Sequence, residues 1–444
     1  MSRGQEQVAG TGYRRGSPGR AAPADPHIDA LDGVRAIAAF AVLTFHVAIE
    51  SGAALGDDFF TGLLARGDVA VPIFFTLSGL LLYRPWAAAA LTGGPAPDTR
   101  AYLVRRALRI LPAYWLVVAA ALALWSRDRL GDPGTWLVLL TLTQTYHPDP
   151  WWAGLGPKGL AQMWSLCVEA AFYLLLPLLA AGLAAFARRA GADVGRRARR
   201  LLLGLAVLAL ASPVTVVLSH HPVYLPHLNS WLPRSMAYFA CGMAFAVVLA
   251  WAEGDRSPGN PARRLRRSVA SAPGTLWLVA ALAYAIAVTP VAGPRFIGVE
   301  GVWPGLFKTV LYATVAVCLV APAALPPRPA PLIGRILGNR VIRWLGRISY
   351  GVFLWQFVAL HAWYQLTAQW PFTGGFLGNL VAVAAITIML AEATHRLVEE
   401  PARGLGRRIS ARLRRGAAAG DAASAAAPHV KPEHANRSSS GALP

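Results

Sequence analysis

The stretch Gly33-Val34-Arg35-Ala36-Ile37-Ala38-Ala39-Phe40-Ala41-Val42-Leu43-Thr44-Phe45-His46-Val47, running on to Ser51, decides the fold class. Wound as a helix, it is apolar all round and leaves no polar face to meet water, as a surface helix of a soluble domain would. Similar runs recur as far as Arg396, many of them exceeding the roughly 20 residues that cross a hydrocarbon core about 30 Å thick. Composition agrees. Hydrophobic residues make up 55% of the chain and charged residues 14%, where soluble proteins carry about 25% charged. The expected fold is all-α: a polytopic transmembrane helical bundle.

Eleven apolar segments cover approximately residues 33–51, 69–91, 104–126, 134–146, 163–187, 201–219, 232–252, 275–293, 304–325, 346–366 and 376–397. The formal charge of +20 raises nucleic acid as a partner. The arginines exclude it, because they cluster between and after the apolar runs, the positive-inside pattern of cytoplasmic loops. The clusters are Arg100, Arg105, Arg106 and Arg109; Arg188 to Arg200; Arg263 to Arg267; Arg328 to Arg347; and Arg403 to Arg415. They fall on one side only if one early segment does not span. The fourth is the one: it is short, carries Thr141, Thr143, Gln144 and Thr145, and ends at His147-Pro148-Asp149-Pro150. It reads as a re-entrant or interfacial helix on the outer side. The expectation is therefore about ten spans, a multi-pass protein of the cell membrane, with both termini cytoplasmic.

Residues 1–27 are polar and rich in Gly, Pro and Arg, without the apolar core of a signal peptide, and read as a disordered cytoplasmic arm. Residues 28–403 form the membrane domain. Residues 404–444, basic and then Ala/Ser-rich, read as a disordered cytoplasmic tail. Cys167, Cys241 and Cys318 lie inside apolar runs without paired spacing, so neither a disulfide framework nor a metal site is expected.

Ionisable groups inside spans are costly and mark function. Arg35 stands at the cytoplasmic mouth of the first span and His46 eleven residues later. That is about 16 Å along a helix, near the membrane midplane, and on the same face. A guanidinium suits an anion such as phosphate, and an imidazole suits general-base work on a hydroxyl. The bland reading of the same pair is a snorkelling arginine and a histidine bonded to a neighbouring helix. Trp164-Ser165-Leu166-Cys167-Val168-Glu169 opens a span that runs inward, which sets Glu169 at a depth close to that of His46 and allows a His–Glu pairing. Arg106 and Arg109, at i and i+3, share a helix face. With Arg35 they could form an anion site, or they are ordinary positive-inside charge. Phe74-Phe75-Thr76-Leu77-Ser78-Gly79 places small residues in a span, the pattern of close helix packing.

Taken in order, these stretches resemble the acyltransferase-3 family of bacterial membrane O-acyltransferases. The resemblance rests on Leu31-Asp32-Gly33-Val34-Arg35 with His46, Phe74 to Gly79, Arg105-Arg106-Ala107-Leu108-Arg109 through Tyr114, Trp164 to Glu169 with Phe172-Tyr173, Gly346-Arg347-Ile348-Ser349-Tyr350, and Glu400-Pro401. It covers roughly residues 28 to 403. It implies transfer of an acyl group, commonly acetyl, from cytoplasmic acyl-CoA to a hydroxyl of a saccharide, glycolipid or glycosylated natural product. It also implies catalytic roles for His46 and Glu169, CoA-phosphate contacts for Arg35, Arg106 and Arg109, and places Trp164 and Ser165 at the substrate. No permanently bound cofactor is implied. One departure is Gln356, where many members have a His after Leu-Trp, so no base is expected there. The chain reads as a stand-alone membrane domain. Two mechanistic routes stay open, direct attack on the thioester or an acyl-His46 intermediate. A reading from another class is a transporter or flippase that uses Arg35, His46 and Glu169 as a substrate or proton path.

Overall fold

A chain surrounded by hydrocarbon has to pair every backbone N–H and C=O within itself, so apolar runs of this length become helices. The computed structural model describes residues 26–295, 300–326 and 331–426. Among them no strand occurs. In chain order the helices are α1 (Pro26–Glu50), α2 (Phe59–Ala65), α3 (Ala70–Thr92), α4 (Thr99–Trp125), α5 (Pro133–Leu140), α6 (Trp164–Arg188), α7 (Val194–Ala209), α8 (Ala211–Leu218), α9 (Leu232–Gly254), α10 (Pro261–Ser271), α11 (Pro273–Val288), α12 (Val302–Ala324), α13 (Pro331–Leu337), α14 (Arg340–Leu366), α15 (Phe376–Thr394) and α16 (Glu400–Ala426).

Eight helical stretches among the described residues are long and apolar enough to cross a membrane, or nine if the pair α10–α11, bent by 80°, counts as one span. The polytopic bundle expected from sequence is thus present. The difference from about ten is α14. Its 27 residues measure about 40 Å, and it packs along α1 and α15. Gln356, His361 and Gln365 lower its apolarity. The fourth apolar segment does not span: α5 has 8 residues. Asp132 caps it, accepting from Thr135 Oγ1 at 2.7 Å and Gly134 N at 2.9 Å. Those hydrogen bonds hold the Asp132 carboxyl below its ordinary range. The far end of α5 stops halfway along α4, where Tyr114 Oη donates to Leu139 O at 2.7 Å and Trp115 Nε1 to Leu140 O at 3.0 Å. The chain then returns, and Thr145 O accepts from Trp231 Nε1 just before α9. This is the geometry of a re-entrant segment.

The arginine clusters gather at one end. Arg197 on α7 donates to Leu91 O at the end of α3, 3.3 Å away, and Arg266 on α10 to Leu325 O at the end of α12, 2.5 Å away. Ser410 on α16 donates to Ala101 O on α4 at 3.2 Å. Arg328 lies outside the described residues. α16 also carries helix through Ala426, across part of the stretch expected to be a disordered tail. Its first half carries Arg403, Arg407, Arg408 and Arg412, a residue type that favours helix, and docks on α4. Residues 1–25 and 427–444 lie outside the described residues. At the opposite end Lys308 turns toward two carboxylates. Its Nζ sits 3.3 Å from Asp68 and 3.9 Å from Glu300.

Two glycines set the helix spacing that matters for the site. A Cβ on Gly242 of α9 would stand 1.9 Å from Thr76 O of α3, so the two backbones touch, as the small-residue pattern of Phe74–Gly79 implies. Thr76 Oγ1 donates across the contact to Tyr238 O at 3.2 Å. A Cβ on Gly346 of α14 would stand 2.1 Å from Asp32 O of α1. Gly346 thereby draws α14 against the turn of α1 that carries Arg35.

Candidate active site

Five helices each present one face to a common cavity of about 100 Å³. α1 contributes Arg35 and Val42, α4 contributes Arg106, Arg109 and Ile110, and α6 contributes Ser165, Glu169 and Tyr173. α14 adds Ser349, Tyr350 and Phe353, and α3 adds Phe74, Ser78 and Leu81. Apart from the adjacent pairs Arg109–Ile110 and Ser349–Tyr350, the spacing within each helix is three, four or seven residues, which keeps these side chains on one stripe. The structure therefore brings together Arg35, Arg106, Arg109, Glu169 and Ser165, residues drawn from three separate sequence stretches.

Three guanidiniums face one carboxylate, so the cavity is built for an anion. Arg35 Nη1 holds Asp32 Oδ1 at 3.1 Å. A second hollow, lined by Asp32, Arg84 and Glu253 among others, shares Arg35 and Leu81 with the cavity. Arg35 thus stands between the cavity and the arginine-rich end of the bundle. Arg106 has a buried Nε with no hydrogen-bond partner among the described residues, a donor left over for a ligand. Glu169 accepts a hydrogen bond from Ser78 Oγ on α3. Tyr173, one turn along α6, also faces the cavity. Tyr350 Oη donates to Ile110 O at 2.9 Å and pins α14 to α4 beside Arg109.

Two expected site residues lie elsewhere. His46 is one turn beyond Val42 on α1, and it does not line the cavity. The anticipated His46–Glu169 pairing is not formed. His46 Nδ1 instead lies 3.0 Å from Gln356 Oε1 on α14, and its ring packs against Phe357 at 4.3 Å and Phe45 at 5.0 Å between centroids. The reason is helix placement: α14 lies directly on α1, and Glu169 is taken by α3. Trp164 likewise does not line the cavity and packs into the hydrophobic core. Ser165 does line it, with its hydroxyl donating to Gln162 O at 3.1 Å.

Two cavity residues, Ser78 and Tyr350, and Gln356 beside His46 make contacts that the sequence alone does not single out: Ser78 stands there only as a small residue, Gln356 only as a missing base, and Tyr350 only as part of a motif. The spacing of Ser349, Phe353 and Gln356 on one face of α14 was the available signal.

The fold and cavity define a polytopic helical membrane protein with a cationic chamber inside the bundle. A family model described as an acyltransferase domain, that of the acyltransferase-3 family, matches residues 28–391, and the chain belongs to this family. Among curated proteins, it is 26% identical over 410 residues to YrhL of Bacillus subtilis strain 168, named provisionally as a peptidoglycan O-acetyltransferase; the match covers 87% of this chain and 56% of that protein. It is 23% identical over 405 residues to the peptidoglycan O-acetyltransferase OatA of Listeria monocytogenes, covering 86% of this chain and 56% of the relative. A provisionally named O-acetyltransferase of Staphylococcus aureus strain COL is 21% identical, with 86% and 58% covered. The chain thus spans just over half the length of the curated relatives it matches. No solved structure matches it.

Proposed function

We propose that the chain is a membrane O-acyltransferase that moves an acyl group, acetyl in the simplest case, from cytoplasmic acyl-CoA to a hydroxyl of a saccharide or glycolipid. The observation that carries this reading is the convergence of Arg35, Arg106 and Arg109 with Glu169 on one cavity, in a chain of this family. The relatives' names, which specify peptidoglycan, favour a cell-wall glycan as the acceptor.

In this scheme the CoA phosphates rest on Arg35, Arg106 and Arg109. Guanidiniums hold phosphate through paired N–H donors, and the unused Arg106 Nε supplies one. The pantetheine arm passes Arg35 toward Val42 and Phe353. From there the thioester has about one helical turn, about 6 Å, to advance to His46. The acceptor oxygen bonds to the thioester carbonyl carbon as the C–S bond breaks. His46 takes the hydroxyl proton and returns it to the departing CoA thiolate. Glu169, held by Ser78, keeps the chamber wall polar and positions the donor.

The test is consumption of acetyl-CoA by the full chain in membranes of its own expressing cells, where the acceptor is present. The expected result is release of CoA thiol, lost in His46→Ala. Proton-coupled solute movement without thiol release would instead establish the transporter reading.

A further inference from the structure

Gln356 is buried, with 1% of its surface exposed. A buried amide in a span is costly unless both of its ends are used. Its nitrogen donates back along α14 to Phe353 O at 3.1 Å. Its oxygen lies 3.0 Å from His46 Nδ1. Rotating the amide by half a turn would set two oxygens against each other at Phe353 and leave the amide's own buried oxygen without a donor. Phe353 O therefore decides which end of the amide faces His46.

An amide oxygen only accepts hydrogen bonds, so the proton on the imidazole has to sit on Nδ1. Nε2 then carries the lone pair. The rings of Phe357 and Phe45 lean on the imidazole at 51° and 46° and limit its rotation. We propose that Gln356 is a positioning residue: it fixes His46 as the Nδ1–H tautomer and leaves Nε2 as the proton acceptor of the transfer reaction. The chain of contacts is Phe353 O, Gln356, His46, and it begins at a residue of the cavity wall. A ligand pressing on Phe353 therefore bears on the same turn of α14 that orients the base. This inference rests on the reading of His46 as the base, but the tautomer is observable without any turnover.

The experiment is solid-state NMR of the full chain in lipid bilayers with ¹⁵N-labelled histidine, the His46 signal being the one lost in His46→Ala. The wild type is expected to show a protonated Nδ1 and an unprotonated Nε2. Gln356→Glu, protonated in this buried site, can donate to Phe353 O as the amide does and keep a carbonyl oxygen at Nδ1, and is expected to keep that form. Gln356→Met keeps the volume but not the acceptor, and is expected to give a mixture of tautomers. Acetyl-CoA consumption in native membranes should fall at least tenfold in Gln356→Met and be partly retained in Gln356→Glu. A wild-type His46 protonated on Nε2, or a Gln356→Met spectrum identical to wild type, overturns the proposal. The expected spectra together with undiminished turnover by His46→Ala would overturn the base role instead and leave the tautomer assignment standing.

Discussion

Ser78 on α3 donates a hydrogen bond to Glu169 on α6, and the two side chains together close one wall of the cationic cavity. A carboxylate inside a membrane bundle needs such donors, and the bond joins two helices that also frame Arg106 and Arg109. Removing the charge while keeping the shape, with Glu169→Gln, is expected to lower acetyl-CoA consumption by about 10- to 100-fold, the equivalent of a charged hydrogen bond worth about 1.5–3 kcal/mol. Ser78→Ala should cost less, because Glu169 keeps its place beside Tyr173. Equal, undiminished rates in both variants would remove Glu169 from the reaction.

Arg106 and Arg109 act on the donor rather than on the acyl carbon in the proposed scheme. Replacing either by Ala is expected to raise KM for acetyl-CoA about tenfold with a smaller change in kcat, the mark of binding shared by ground and transition states. Arg106→Lys should recover little, since an ammonium lacks the forked donor set that includes Nε. Initial rates across acetyl-CoA concentrations in native membranes decide this. An unchanged KM in both alanine variants would move the CoA phosphates elsewhere.

The helical membrane fold is legible in the sequence, and what the sequence misses has a common cause. Apolar run length and arginine placement depend on one helix at a time, so the spans, the short α5 and the shared face of Arg106 and Arg109 could be read directly. Pairings between helices depend on how neighbours pack. Depth alone brought His46 and Glu169 level, yet azimuth separates them: His46 turns to Gln356 on α14 and Glu169 to Ser78 on α3. α14 falls short in apolarity because of polar side chains such as Gln356, which bonds His46. Local rules fail most where a helix carries function.

The contact of α3 with α9 offers a test of the frame itself. Gly242→Val places a branched side chain where a Cβ alone would stand 1.9 Å from Thr76 O. Overpacking of this kind costs about 1–3 kcal/mol or more, so a fall in thermal midpoint and in yield of folded protein is expected. Gly182 on α6 has open space at its Cβ position. Gly182→Ala is expected to be neutral or to raise the midpoint slightly, since Ala outranks Gly in a helix by about 1 kcal/mol. Both are measured by thermal unfolding in detergent. A harmless Gly242→Val would mean that the α3–α9 contact is looser than the backbone approach requires.

Orientation decides which compartment supplies the donor. The arginine-rich end carries α7, α10 and the start of α4, and the positive-inside rule assigns that end to the cytoplasm. The loop after α5, with Asp149, is then expected outside, and the turn between α9 and α10, with Ser257, inside. Both residues are exposed. With Cys167, Cys241 and Cys318 replaced by Ala, Asp149→Cys should react with a membrane-impermeant maleimide in intact cells. Ser257→Cys should react only after the membrane is opened. Arg35 stands between the cavity and the Ser257 end, so this pattern gives cytoplasmic acyl-CoA direct access to the three arginines. The reverse pattern would turn the arginine-lined mouth to the outside, where no acyl-CoA pool exists, and would sink acyl-CoA as the donor while leaving the fold intact.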